Sequence, residues 1–246
     1  MRKKLNGWVV KFIQFLGYTI SKSDPVMQKD LRFKQIYAQC EKYSMTSRVK
    51  MYELYKAVEY IVHSNIKGDF VECGVWKGGS VMLMALTLRE LGVTNRNIYL
   101  YDTFEGMSEP THEDHLLSDS AVNANAMLKK RPVYKCISSL AEVKSNMKST
   151  AYPFEMLHFV KGKVEDTIPG TLPSEIALLR LDTDWYASTM HELHYLYPKV
   201  SKQGVVILDD YGYWAGQKKA VDEYFAAKSF FFTGTSDGGR MGVKME

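Results

Sequence analysis

The sequence predicts a doubly wound α/β fold, and three observations carry that prediction. From Asp69 onward, short β-rich apolar runs alternate with stretches of helical period, which is the pattern of a parallel sheet covered by helices. The last two runs, Phe230–Phe232 and Met241–Lys244, flank a loop that holds Gly234, Asp237, Gly238 and Gly239, and this suits a closing antiparallel edge hairpin. With 246 residues, 46% hydrophobic and 24% charged, the chain can bury a full core and need not be disordered.

The elements follow in order. Arg2, Lys3 and Lys4 precede an apolar-rich stretch from Trp8 to Ile20, but Lys11 and Gln14 interrupt it and no small-residue cleavage site follows. Trp8, Phe12, Phe15 and Leu16 instead form one apolar stripe on a helix with a basic opposite face. That helix packs on the domain or on a sister subunit, making the protein a homo-oligomer, or it touches a membrane surface weakly. No run of about 18 uninterrupted apolar residues occurs, so no transmembrane segment is expected. Leu31–Tyr43 reads as a second helix. Thr46 or Ser47 caps a third that runs to His63, with Met51, Leu54, Tyr55 and Val58 at helical spacing. Residues 1–45 are therefore taken as a helical extension and 46–246 as the functional domain.

Beyond the extension, strands are expected at Phe70–Cys73, Ile98–Tyr101, Leu157–Val160, Ile176–Leu181 and Val205–Leu208, before the closing hairpin. Helices are expected at Gly79–Leu91, Leu140–Met147, Ser188–Tyr197 and Trp214–Ala226. The longest irregular segment, Ser108–Arg131, contains His112, Glu113, Asp114, His115 and Asp119, and a stretch of this kind beside strand tips suits a lid or substrate loop.

Composition excludes several classes. Lys and Arg total 32 against 28 Asp and Glu, a net charge of +4 with no long basic block, so nucleic acid is not an expected partner. Cys40, Cys73 and Cys136 are odd in number and far apart. They form neither a disulfide framework nor a zinc knuckle, and they suit a reducing, cytoplasmic setting.

Two candidate sites remain. Phe70-Val71-Glu72-Cys73-Gly74-Val75-Trp76-Lys77-Gly78-Gly79-Ser80 is a buried strand, a glycine-bearing turn and a helix start, where a backbone can close on a ligand at free N–H groups. Its spacing is neither GxGxxG nor the phosphate loop. Glu72, at the end of that strand, needs a donor-bearing partner if it is buried. Asp102 ends the next strand, where an acid can accept both ribose hydroxyls of an adenosine-bearing cofactor while Phe104 packs on the base; the plain alternative is a helix cap. The second site is a pair of doublets, Asp182 with Asp184 and Asp209 with Asp210, each closing an apolar strand. Four such carboxylates at one sheet edge ionise together only if a cation offsets them, and an all-oxygen set selects a hard ion, Mg²⁺ before Ca²⁺ or Mn²⁺. A cation plus a carboxylate base is what transfer of a methyl group to a hydroxyl needs.

These residues resemble the macrocin O-methyltransferases, the TylF-type branch of class I S-adenosylmethionine-dependent enzymes. The resemblance rests on Gly68 to Ser80, Asp102-Thr103-Phe104-Glu105-Gly106-Met107, Val164-Glu165-Asp166-Thr167-Ile168-Pro169, Arg180-Leu181-Asp182-Thr183-Asp184-Trp185-Tyr186-Ala187-Ser188-Thr189 and Gly204 to Tyr211. It implies a Rossmann-like class I methyltransferase fold, a mainly parallel seven-stranded sheet with an antiparallel C-terminal hairpin, here with extra N-terminal helices. It implies S-adenosylmethionine and Mg²⁺ as cofactors and a sugar hydroxyl of a glycan or small molecule as acceptor. It makes Glu72, Gly74 and Ser80 cofactor contacts, puts Asp102 on the ribose, and adds Thr46 near the methionine end and Ser139 near the adenine. It makes Asp182, Asp209 and Asp210 metal ligands and Asp184 the general base. The segment Pro110–Lys148 departs from antibiotic-tailoring members, so a surface polysaccharide or nucleotide-linked sugar is as good an acceptor as a macrolide.

The competing enzyme reading takes Asp182-Thr183-Asp184 as the metal-binding DxD of a nucleotide-sugar glycosyltransferase, which leaves the glycine turn and Asp102 without a role. A phosphatase triplet would open its domain, and an inert assembly partner would not need the acid set.

Overall fold

The computed structural model describes residues 25–130, 135–235 and 238–246; the helix expected over Trp8–Ile20 lies outside them. Seven strands form the main sheet: β1 (Asp69–Cys73), β2 (Ile98–Asp102), β5 (Leu157–Lys161), β6 (Ile176–Leu181), β7 (Val200–Leu208), β8 (Phe232–Gly234) and β9 (Arg240–Val243). The order across the sheet is β5-β2-β1-β6-β7-β9-β8. The first five strands are parallel, and β9 and β8 close the edge antiparallel. This is the Rossmann-like arrangement with an antiparallel C-terminal hairpin that the sequence predicts. The chain winds outward from β1 through β2 to β5 and then crosses back to β6, so the strand order reverses between β1 and β6. Ligand crevices of doubly wound sheets open at such a switch point.

Alternate residues along the strands supply the two faces. Phe70, Ile98, Leu178, Val205 and Ile207 pack under Leu31–Cys40, Arg48–His63 and Gly79–Glu90. Val71, Leu179, Val206 and Leu208 pack under Tyr186–Tyr195 and Ala215–Phe225, through Leu193, Leu196 and Val221. Phe33, Ile36 and Cys40, which precede residue 46, share one apolar cluster with Met51 and Tyr55. Asp30 and Ser47 cap their helices by accepting from Phe33 N and Lys50 N.

The departures from expectation are local. β7 begins at Val200 rather than Val205, because Gln203 and Lys244 pair by backbone and carry the ladder through a polar stretch. β8 begins two residues late because Phe230 packs against Tyr197, Phe225 and Phe232 instead of extending the strand. The segment expected to be irregular contains a hairpin, β3 (His115–Leu116) with β4 (Asp119–Asn123), and the short helix Ala124–Lys130. It lies over the carboxyl ends of the sheet: Leu117 N donates to Tyr213 O at 2.9 Å, Trp185 Nε1 donates to Ser108 O at 3.0 Å, and Ala124 and Leu128 pack with Trp185 and Trp214.

Candidate active site

The carboxyl ends of β1, β2, β6 and β7 open into one cleft of about 420 Å³ beneath residues 103–130. Of the residues singled out from sequence, Thr46, Gly74, Ser80, Asp102, Asp182, Asp184, Asp209 and Asp210 line it. Glu72 lies directly behind, fully buried. Phe104 is also buried, its ring 6.5 Å from that of Phe159, and does not line the cleft. Ser139 is exposed and caps the helix Leu140–Ser149 by accepting from Glu142 N, so the structure places it outside the cleft wall.

The strand tips are stitched together by backbone. Asp182 N donates to Cys73 O at 2.9 Å, Asp209 N to Leu181 O at 3.0 Å and Gly74 N to Tyr101 O at 2.9 Å. Gly74 has φ +83°, and a Cβ there would stand 2.0 Å from Asp182 O. Only glycine combines that left-handed backbone with so close an approach. Asp102 accepts from Val75 N and Trp76 N on one oxygen, at 2.6 and 3.0 Å, and from Phe104 N at 2.6 Å on the other. The acid thus holds the glycine turn in shape.

The centre of the site is a residue that the sequence reasoning left without a role. Arg180 is 1% exposed, and its register partner across β1 and β6 is Glu72. Its guanidinium donates to Glu72 Oε1 (2.5 Å), Asp182 Oδ2 (2.8 Å), Asp209 Oδ1 (2.7 Å) and Thr46 Oγ1 (3.0 Å). Ser80 Oγ also donates to Glu72 Oε1, while Glu72 Oε2 has no hydrogen-bond partner among the described residues. Lys50, in the first turn of Arg48–His63, donates to Asp209 O at 2.8 Å and Asp209 Oδ2 at 3.1 Å. A lone arginine in an apolar strand is itself a signal, since a buried charge must be paired. Lys50 carries no such signal, because helical spacing puts it on the cleft only once the helix is docked.

Two cations therefore answer part of the acid set. Burial opposes ionisation of Asp209, but Arg180 and Lys50 together hold its carboxyl below the usual range. Asp182, which meets Arg180 through Oδ2, also stands with Asp184 and Asp210. Each offers an oxygen within 4.8 Å of the others, a spacing able to hold a metal ion, and among the described residues they form the one such group of three or more His, Cys, Asp or Glu side chains. Burial pushes all three carboxyls up; Asp184 rises to about 7, with Asp182 and Asp209 adding to the rise and a hydrogen bond with Asp210 opposing it. Asp209, expected among the ligands, has both oxygens turned to Arg180 and Lys50, whereas Asp184 stands inside the group.

Asp184 is also strained. Its φ is +66°, and Trp185 N donates to Thr183 O at 2.7 Å. It is the central residue of a three-residue γ-turn in the rare positive-φ form. Strain of this kind persists where the surroundings over-determine it, and it concentrates at functional sites.

A strand reversal, a glycine turn and an acid cluster in one crevice agree with the family comparison. The family model for macrocin O-methyltransferase (TylF) matches residues 13–231. The chain belongs to the macrocin O-methyltransferase (TylF) family. It is an O-methyltransferase. Demethyldecarbamoylnovobiocin O-methyltransferase of Streptomyces niveus is 35% identical over 184 residues, spanning 75% of this chain and 68% of that relative. Mycinamicin III 3''-O-methyltransferase of Micromonospora griseorubida is 30% identical over 182 residues, 74% of this chain and 70% of that relative. The solved structure of the O-methyltransferase NovP superposes with a TM-score of 0.75 at 28% identity, covering 91% of this chain and all of that one. SAH-bound methyltransferase PaMTH1 of Podospora anserina shares the fold, with a TM-score of 0.54 at 12% identity. The fold of this TylF-family chain is that of S-adenosylmethionine-dependent methyltransferases. The glycosyltransferase reading of Asp182-Thr183-Asp184 finds no support in these relatives. Among the described residues no helix is long and apolar enough to cross a membrane.

Proposed function

We propose that the chain methylates a sugar hydroxyl, on a glycoside, a polysaccharide precursor or a natural product, with S-adenosylmethionine as donor and a divalent cation, Mg²⁺ first, in the acid cluster. The observation that carries this reading is the convergence of Asp182, Asp184 and Asp210 in the same cleft as the Gly74 turn. The donor set fits a hard cation: all ligand atoms are carboxylate oxygens, and one from each of the three side chains lies within 4.8 Å of the others. The unpaired Oε2 of buried Glu72 fits a ligand that brings a donor group to the turn. A further relative, the 8-demethyl-8-(2,3-dimethoxy-alpha-L-rhamnosyl)-tetracenomycin-C 4'-O-methyltransferase of Streptomyces olivaceus, 34% identical over 169 residues (69% of this chain, 62% of that relative), is named for a rhamnosyl substrate and supports the acceptor class.

In this reading Asp182 and Asp210 hold the cation, and Asp209 keeps Arg180 and Lys50 beside them. Thr46, Glu72, Gly74 and Ser80 receive the amino-acid end of the donor, Asp102 its ribose, and Phe104 and Ser139 support the adenine end by shaping the Asp102 turn and the helix Leu140–Ser149. When bound, the donor supplies an electrophilic methyl carbon and the cation lowers the pKa of the acceptor hydroxyl. Asp184 takes the hydroxyl proton from its place beside Asp182 and Asp210, within reach of an oxygen held at the cation. Three free cysteines suit a cytoplasmic setting. The test is Asp184→Asn, a residue that tolerates the left-handed backbone of this turn. The variant keeps S-adenosylhomocysteine binding, still binds Mn²⁺ and loses turnover on a panel of glycosides and nucleotide sugars; retained turnover rules Asp184 out as the base.

A further inference from the structure

The Asp182–Asp184 loop is tied to β1 at Asp182 through Cys73 O, but the strained turn at Asp184 lies beyond that bond. Two buried acidic side chains from outside the loop meet it from opposite ends. Asp114, fully buried in the segment 103–130, accepts from Tyr186 N at 2.9 Å on Oδ1, and from Thr111 N at 2.7 Å and Thr111 Oγ1 at 2.9 Å on Oδ2. Its carbonyl accepts from Ala124 N at 3.1 Å, which ties the short helix of that segment to the same point. The helix Tyr186–Tyr195 has no side-chain cap from Trp185, so Asp114 supplies the missing acceptor at its first N–H. Glu192, also fully buried and one and a half turns along that helix, accepts from Thr183 Oγ1 at 3.1 Å on Oε2. Asp184 thus sits between one residue pinned by Glu192 and, two positions on, an amide pinned by Asp114. Gly216 leaves room for the second contact: a Cβ there would stand 1.9 Å from Asp114 Oδ1 and 2.9 Å from Tyr186 N.

We propose that Asp114 and Glu192 form a clamp that fixes the Asp182–Asp184 loop in its strained turn, making both positioning residues for the cation set and the base. Neither touches the acid cluster itself. Asp114 joins the segment over the cleft to the loop beneath it, so the cover and the acids are one mechanical unit. The inference rests on the proposed role of the acid cluster, and the consequence is that releasing either jaw lets the turn relax and carries Asp182 and Asp184 out of reach of Asp210.

The test compares Asp114→Ala, Glu192→Ala, the conservative Asp114→Asn and Glu192→Gln, and Gly216→Ala, which displaces the Asp114 carboxylate without deleting it. Backbone hydrogen exchange reads the Trp185 and Tyr186 amides, paramagnetic resonance reads Mn²⁺ affinity, and calorimetry reads S-adenosylhomocysteine affinity without metal. The alanine variants and Gly216→Ala exchange the Tyr186 amide at least tenfold faster and bind Mn²⁺ about 10–100-fold more weakly, the range for losing a group that orients a metal ligand. S-adenosylhomocysteine affinity stays within about twofold, and the Asn and Gln variants, which keep an accepting oxygen, restore Mn²⁺ binding to within about threefold. A general loss of structure would instead weaken both ligands together. Alanine variants with wild-type exchange at Tyr186 and wild-type Mn²⁺ affinity overturn the clamp; if they do not fold, the same result for Gly216→Ala overturns it. A wild-type protein that binds no Mn²⁺ overturns the reading of the acid cluster, and the Tyr186 exchange then decides the clamp alone.

Discussion

Replacing Arg180 by methionine removes one side chain and strands three carboxylates. The guanidinium is 1% exposed and serves Glu72, Asp182 and Asp209 as well as the Thr46 hydroxyl. Removing one partner of a buried ion pair costs about 3–5 kcal/mol, because the remaining charge stays buried without its counter-ion. Lys50 still reaches Asp209, and the carboxyls can take protons, so the lower half of that range applies near pH 5 and the upper half near pH 8. Such a loss is a large part of the about 5–15 kcal/mol by which a domain is stable. At about 2–4 °C per kcal/mol for a chain of this size, Tm falls by roughly 6–20 °C. Urea titrations at pH 5 and pH 8, with a double-mutant cycle against Glu72→Gln, measure both the loss and the coupling between β1 and β6. A loss below about 1 kcal/mol at pH 8, the worth of an exposed pair, would show that Arg180 is not the charge that holds the cleft together.

Gly74→Ala forces a Cβ to within 2.0 Å of Asp182 O at φ +83°. Strain of about 1–2 kcal/mol from the left-handed backbone adds to about 1–3 kcal/mol from overpacking. Calorimetry will find S-adenosylhomocysteine and Mn²⁺ weakened together, since the two strand tips part; an effect on one ligand alone contradicts the shared crevice. Glu192→Gln gives a pH-dependent gain. Burial, helped by Glu165 and Asp182, raises the Glu192 carboxyl well above its usual range, so the folded chain keeps a proton that the unfolded chain has lost. Above an unfolded value of about 4.3, each pH unit therefore lowers wild-type stability by up to about 1.4 kcal/mol until the folded value is reached. Glutamine removes that slope, so its advantage in Tm over the wild type is larger at pH 8 than at pH 5; an advantage that shrinks with pH contradicts a protonated Glu192. Lys50→Met frees Asp209 Oδ2 and the Asp209 carbonyl and raises the Asp209 carboxyl towards the ordinary range, which NMR titration of that side chain reads directly.

The parallel sheet was legible because strands buried on both faces read as continuous apolar runs, and Ile176–Leu181 was placed to the residue. The hairpin over the cleft was not, since Asp119-Ser120-Ala121-Val122-Asn123 has little β preference and is a strand only by pairing with His115–Leu116. Within the site, the acids declared themselves because carboxylates closing apolar strands have few other uses. What sequence hides is which acid meets which cation. Asp209 and Asp210 are adjacent and chemically identical, yet the first faces Arg180 and Lys50 while the second joins Asp182 and Asp184, a difference set by strand registry and helix docking. Asp114 and Glu192 were invisible as a pair for the same reason: 78 positions apart in the chain, they meet one loop only in the folded protein.

Titration calorimetry with S-adenosylhomocysteine, a uridine diphosphate sugar and NAD, each with and without Mg²⁺, decides whether this cleft is built for a sulfonium-bearing adenosine cofactor beside a divalent cation. Saturable heat is expected from S-adenosylhomocysteine whether or not the uridine diphosphate sugar is present, and none from NAD. Heat from the uridine diphosphate sugar that requires Mg²⁺, with silence from S-adenosylhomocysteine, would contradict that reading.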